Sequence, residues 1–215
     1  MNIIFDMDGV IFDTERCYHE CAAMAGDKVG LEGVDEVAFE CIGVTEEETA
    51  RKMRARYGDD APLEEFAREM RRIFMDRYEE NGLPMKEGVV ELLEFLKQRG
   101  AKIAVASSTK RDVVEMELRD AGLIEYFDVI VGGDMAQASK PAPDVFLLAA
   151  EKLGVDIQDC IVIEDSFNGV RAARTAGATV FMVPDMLEPT DEIRALTDRV
   201  FDSLMEVKEW IETRK

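Results

Sequence analysis

The sequence predicts an α/β fold: a parallel sheet covered by helices on both faces and interrupted after its first strand by an all-helical insertion. Three observations predict it. Short apolar, β-branched runs recur along the chain, helical patterns lie between them, and residues 15–80 carry helical patterns with no convincing strand.

The runs expected to be strands are Asn2 to Phe5, Ala101 to Ala106, Val129 to Val131, Cys160 to Ile163 and Thr179 to Val183, with a weaker one near Val200. They are apolar throughout rather than alternating, as strands buried on both faces must be, and right-handed crossovers through helices join such strands. Val89, Leu92, Leu93 and Leu96 mark one helix face, ending at Gly100; Val113, Met116 and Leu118 lie on a second helix, ending at Gly122. Within the insertion, Thr45 to Tyr57 reads as a helix. Thr45 can cap it, Glu48 stands three residues on as in a capping box, and Gly58 stops it. Glu46, Glu47 and Glu48 at its start and Arg51, Lys52, Arg54 and Arg56 toward its end complement the helix dipole, so this charge run reads as structural rather than as a phosphate-binding patch.

A chain of 215 residues can bury a core as one domain with a modest insertion. Residues 1–14 and 81–215 are assigned to the α/β core and 15–80 to the inserted helices. The 46 acidic against 26 basic residues give a formal charge of −20, spread along the chain, which repels phosphate backbones and argues against a nucleic-acid partner. No apolar run approaches the roughly 18 residues that span a bilayer, so no membrane role is expected. Cys17, Cys21, Cys41 and Cys160 are scattered, and no stretch has the basic-then-apolar form of a signal peptide, which points to a reduced, cytoplasmic protein. No heptad or exposed repeat asks for a partner, so a monomer is expected.

Ligands of open parallel sheets bind beyond the carboxyl ends of the strands. The first strand delivers Asp6-Met7-Asp8-Gly9, the second Ser107 and Ser108, a later loop Lys140, and the run IVIEDS Glu164 and Asp165. Residues two apart at a strand end point the same way, so Asp6 and Asp8 can face one site. Four carboxylates together repel one another unless a cation joins them. Oxygen ligands beside an expected phosphate suit Mg²⁺, while Lys140 and the Ser107 hydroxyl suit phosphoryl oxygens.

The stretches DMDGVIFDT, VASSTK, ASKPAPD and IEDSFNGVRAA resemble, in order, the four motifs of haloacid dehalogenase superfamily phosphotransferases, and the resemblance spans the whole chain. It is greatest to the β-phosphoglucomutase-like phosphatase subfamily, which carries a small helical cap after the first motif. The resemblance implies a three-layer Rossmann-like core and a two-step phosphoryl transfer. Asp6 would be the nucleophile and Asp8 the general acid and base. Mg²⁺ would lie on the Asp6 carboxylate, the Asp8 carbonyl and Asp165, with Glu164 bound directly or through water. Gly9, Ser107, Ser108 and Lys140 would surround the phosphoryl group. The expected substrate is a small phosphorylated metabolite of the sugar-phosphate class.

Mutases of that subfamily place an arginine after a GVS-like turn to clamp a distal phosphate. Here the stretch GVTEEET places Glu46 there, which favours a phosphatase, although Arg51 or Lys52 could compensate and β-phosphoglucomutase is the alternative. A phosphoaccepting signalling module is a remoter alternative. His19 reads as a surface or helix-packing residue, Cys17 and Cys21 as unpaired thiols, and Met135, Met182 and Met186 as core or loop filling.

Overall fold

The computed structural model describes residues 1–42 and 46–213, with the side chains of Glu46 and Glu47 also outside the description. The chain divides into two compact units, Met1–Asp13 with Met85–Lys215, and Thr14–Pro84.

The first unit is built on a six-stranded, wholly parallel sheet. Its strands are β1 (Asn2–Phe5), β2 (Lys102–Ala106), β3 (Val129–Val131), β4 (Cys160–Glu164), β5 (Thr179–Met182) and β6 (Arg199–Val200), in the spatial order β3-β2-β1-β4-β5-β6. Ile3 pairs with Ile103 on one side and Ile161 on the other, so β1 sits centrally, and the order reverses between it and its neighbours. The reversal falls between β1 and β4, and open α/β sheets bind ligands beyond the carboxyl ends of the strands at such a point.

Burial on both faces explains the uninterrupted apolar strands. One face carries Ile4, Ala104, Val162 and Val180, packed with Phe146, Ala149, Val170, Ala173 and Ile193 of the helices α7 (Asp144–Leu153), α8 (Phe167–Ala176) and α9 (Asp191–Leu196). Alternation sends Ile3, Phe5, Ile103, Val105 and Phe181 to the other face, where Phe181 meets Trp210 of α10 (Leu204–Glu212) edge to face at 4.9 Å. On α5 (Val89–Gln98), Val89, Leu92, Leu93 and Leu96 are all buried. On α6 (Arg111–Asp120) the buried residues are Val114 and Leu118, and Met116 is exposed.

The second unit is helical: α1 (Thr14–Val29), α2 (Val34–Glu40), α3 (Glu46–Tyr57) and α4 (Leu63–Asn81). Cys21 and Ala25 of α1 pack with Ile73 of α4, and the rings of Tyr18 and Phe74 stack at 4.5 Å. His19 packs between helices, its Nε2 2.8 Å from the Asp35 carbonyl and its ring edge-on to Phe39. All four cysteines are free thiols. Thr45, the expected cap of α3, and the Glu46 side chain, on which the phosphatase-versus-mutase reading turns, lie outside the described residues. Arg51, one of the two bases that could replace the missing arginine, is engaged with Glu48 at 2.5 Å, and Lys52 donates to the Glu40 carbonyl.

Candidate active site

The site begins where β1 ends. The Asp6 amide continues the ladder by donating to the Ile163 carbonyl at 2.9 Å, and the chain then turns sharply. The Met7 carbonyl accepts from the amides of Ile11 and Phe12, and Gly9 makes the turn at φ 82°, a conformation that would strain any other residue. A Cβ on Gly9 would also overlap the Asp165 carboxylate, so the first loop and the end of β4 meet only because this position is bare.

Glu164, fully buried at the end of β4, is the best-anchored acid of the group. Its Oε2 accepts from the amides of Asp165 and Ser166 and from the Ser166 hydroxyl at 2.8–3.0 Å. Ser166 in turn caps α8, accepting from the Gly169 amide at 3.0 Å. The other carboxylate oxygen of Glu164 accepts from Lys140 at 2.7 Å, and Lys140 also donates to Asp6 Oδ1 and, at 3.3 Å, to the Ala106 carbonyl. Burial disfavours the lysine charge, but Asp6 and Glu164 outweigh it and hold its pKa above the ordinary range. Lys140 is thus a fixed cation between two buried carboxylates, with the Phe146 ring 4.7 Å away.

Asp8 has different company. Its Oδ2 accepts from the Thr109 hydroxyl at 3.1 Å and lies 3.5 Å from the Ser107 hydroxyl, which itself accepts from the Thr109 amide at 2.9 Å. The two aspartates, one residue apart in sequence, thus have different hydrogen-bond partners: Asp6 an ammonium among carboxylates, and Asp8 the Thr109 hydroxyl. Ser108 is exposed, and its backbone carbonyl packs against Gly133.

Asp6, Glu164 and Asp165 each offer an oxygen within 4.8 Å of the others. Burial, then the charges of Glu164, Asp6 and Asp185, push the Asp165 carboxyl well above the usual range, and burial does the same to Asp6 against the pull of Lys140. Asp165 Oδ1 is buried, with no hydrogen-bond partner among the described residues. An orphaned carboxylate oxygen among mutually repelling acids fits a small divalent cation with oxygen ligands, and Mg²⁺ satisfies that chemistry.

Three participants go beyond the residues singled out from sequence. Thr109 is two residues after Ser107, so the same alternation that pairs Asp6 with Asp8 could have found it. Gly169 lies against the Glu164 carboxylate. Asp185 stands just beyond β5, its Oδ1 accepting from Lys86 at 2.6 Å.

A sequence model described as "Haloacid dehalogenase-like hydrolase" matches residues 3–183. A Thermotoga maritima protein named phosphorylated carbohydrates phosphatase is 36% identical over 179 residues, covering 81% of both chains. Among solved structures, a Thermotoga maritima protein provisionally named a β-phosphoglucomutase superposes with a TM-score of 0.83 at 31% identity, covering 100% of this chain and 99% of its own. CbbY from Rhodobacter sphaeroides, solved as a mutant in complex with xylulose-(1,5)bisphosphate, superposes with a TM-score of 0.75 at 29% identity over 95% of each chain.

Proposed function

The chain belongs to the haloacid dehalogenase-like hydrolase family, and we propose that it is an Mg²⁺-dependent phosphatase of small phosphorylated metabolites in the sugar-phosphate class, working through an aspartyl phosphate on Asp6. One observation carries this reading: Asp6 contacts the Lys140 ammonium within the acidic cluster, while Asp8 accepts from the Thr109 hydroxyl. Two neighbouring carboxylates in different environments suit two different roles.

Asp6 attacks the phosphorus in line, and the ester P–O bond breaks as Asp8 gives its proton to the leaving oxygen. Asp8 then takes a proton from the attacking water, the bond between phosphorus and Asp6 breaks, and inorganic phosphate leaves. Lys140 and the Ser107 hydroxyl supply positive charge and a donor to the transferring oxygens, and Gly9 lets the backbone approach them. Asp6, Glu164, Asp165 and the Asp8 carbonyl would hold the cation, which neutralises charge on the phosphoryl group and on the nucleophile. Substrate choice is assigned to the inserted helices, which serve as the cap. The four free thiols suit a reducing cytoplasm, and the charge of −20 suits neither nucleic acid nor an acidic lipid surface. Among the described residues no helix is long and apolar enough to cross a membrane. The protein is taken to act as a monomer.

Structural likeness across the full chain to a protein provisionally named a β-phosphoglucomutase favours a second reading, mutase activity. ³¹P NMR of the protein with Mg²⁺ and a panel of sugar phosphates separates the two, with β-glucose 1-phosphate and a trace of the bisphosphate in the panel and Asp6→Asn as control. Free phosphate, absent from the control, supports the phosphatase. Glucose 6-phosphate without phosphate release overturns it in favour of the mutase.

A further inference from the structure

A second buried ion pair stands beside the acidic cluster. Asp185 follows the end of β5, the neighbour of β4, and the Val183 amide donates to the Glu164 carbonyl at 2.8 Å, so the two strand ends run on together. The Asp185 side chain is 1% exposed, with Oδ1 on Lys86 at 2.6 Å. Its Oδ2 is buried and has no hydrogen-bond partner among the described residues. The same is true of Asp165 Oδ1 on the adjacent strand end. A buried acceptor left unmade is costly, and two such oxygens on neighbouring strand ends ask for donors. Nearby, Lys86 also approaches Asp13 Oδ1 at 4.0 Å, and its amide donates to the Ile11 carbonyl at 2.9 Å.

Mg²⁺ gives up its waters reluctantly and is bound through few carboxylates, so a hydrated cation brings O–H donors with it. We propose that Asp185, held in place by Lys86, is a positioning residue for the cation of Asp6, Glu164 and Asp165, its Oδ2 accepting a hydrogen bond from the hydration shell. Lys86 then has a defined role, since it orients Asp185 through Oδ1 and leaves Oδ2 to the water. This inference rests on the metal-dependent reading above. Partners of this kind typically alter metal affinity by about 10–100-fold.

The test measures Mg²⁺ binding to the full chain by titration calorimetry, and thermal melting with and without Mg²⁺. Asp185→Asn, near-isosteric and neutral, is expected to weaken Mg²⁺ by about tenfold or more. Lys86→Met removes the donor that orients Asp185, so its metal-free Tm falls and its Mg²⁺-induced rise in Tm is smaller than that of the wild type. A merely structural ion pair would lower Tm in both variants and leave the Mg²⁺ increment alone. Unchanged Mg²⁺ affinity in Asp185→Asn, or a Lys86→Met increment equal to or above the wild type's, overturns the proposal; should Asp185→Asn fail to fold, the Lys86→Met increment decides. If the wild type binds no Mg²⁺, the metal-dependent reading falls as well, whereas normal wild-type binding with unaltered variants removes only the role of Asp185.

Discussion

Gly169 and Glu164 are packed so that a Cβ on the glycine would fall on the glutamate carboxylate. Gly169 lies in the first turn of α8, where alanine would be the better helix former by at most about 1 kcal/mol. Against that gain stands a buried carboxylate with Lys140, Ser166 and two amides as donors, and breaking such a buried pair costs about 3–5 kcal/mol. The network wins. Gly169→Ala is expected to lose about 2–4 kcal/mol in urea unfolding. Its kcat should fall by about 10²-fold, the scale of an ångström-sized misplacement. A stability equal to or above wild type would mean that Glu164 moves aside freely.

Asp6→Asn should reduce turnover by at least about 10³-fold, since it removes the proposed phosphoryl acceptor. Burial already pushes the Asp6 carboxyl upward, so neutralising it removes a repelling charge, and Lys140 keeps Glu164 as partner. The variant should therefore melt no lower than the wild type without metal. Retained turnover would take Asp6 out of the nucleophile role.

Asp8→Asn should slow both formation and breakdown of the aspartyl phosphate, by about 10²–10⁴-fold for lost acid and base chemistry. Thr109→Val keeps the shape of the side chain and removes only the hydroxyl that donates to Asp8. A hydrogen bond to a charged group is worth about 1.5–3 kcal/mol, so a fall in kcat of roughly tenfold or more with little change in KM is expected. Single-turnover kinetics with intermediate trapping separate the two steps. A Thr109 variant with a normal kcat would show that Asp8 holds its position without that hydroxyl.

The strand ends are the most legible part of the sequence, because a parallel strand buried on both faces must be apolar and must then end in something that is not. Asking what each end delivers finds Asp6, Ser107 and Glu164. The same question put to the fifth strand, TVFMVPD, leads to Asp185, to which no motif points. Lys86 cannot be found this way. Its partner is 99 residues distant in the chain, and only the sheet order brings them together. Met116 shows a different limit: it lies on the expected helix, but the fold leaves it exposed, the buried stripe running through Val114 and Leu118.

Glu117, on the same helix, carries a testable pH dependence. Burial, then the charges of Asp8 and Asp120, push its carboxyl from 4.5 up to about 7. The folded chain thus keeps a proton that the unfolded chain has released, and stability falls as pH rises from about 4.5 to 7 and then levels off, as linkage requires of an acid whose folded pKa is raised. The side chain is partly exposed, so screening reduces the full linkage value to on the order of 1 kcal/mol. Glu117→Gln imitates the protonated form at every pH. It should match the wild type near pH 4 and unfold at higher urea at pH 8, with the difference opening across that window. Because Asp8 contributes to the shift, the gain should shrink when the same change is made in Asp8→Asn. A wild-type stability curve parallel to that of Glu117→Gln from pH 4 to 8 would mean that the carboxyl titrates alike in the folded and unfolded chains.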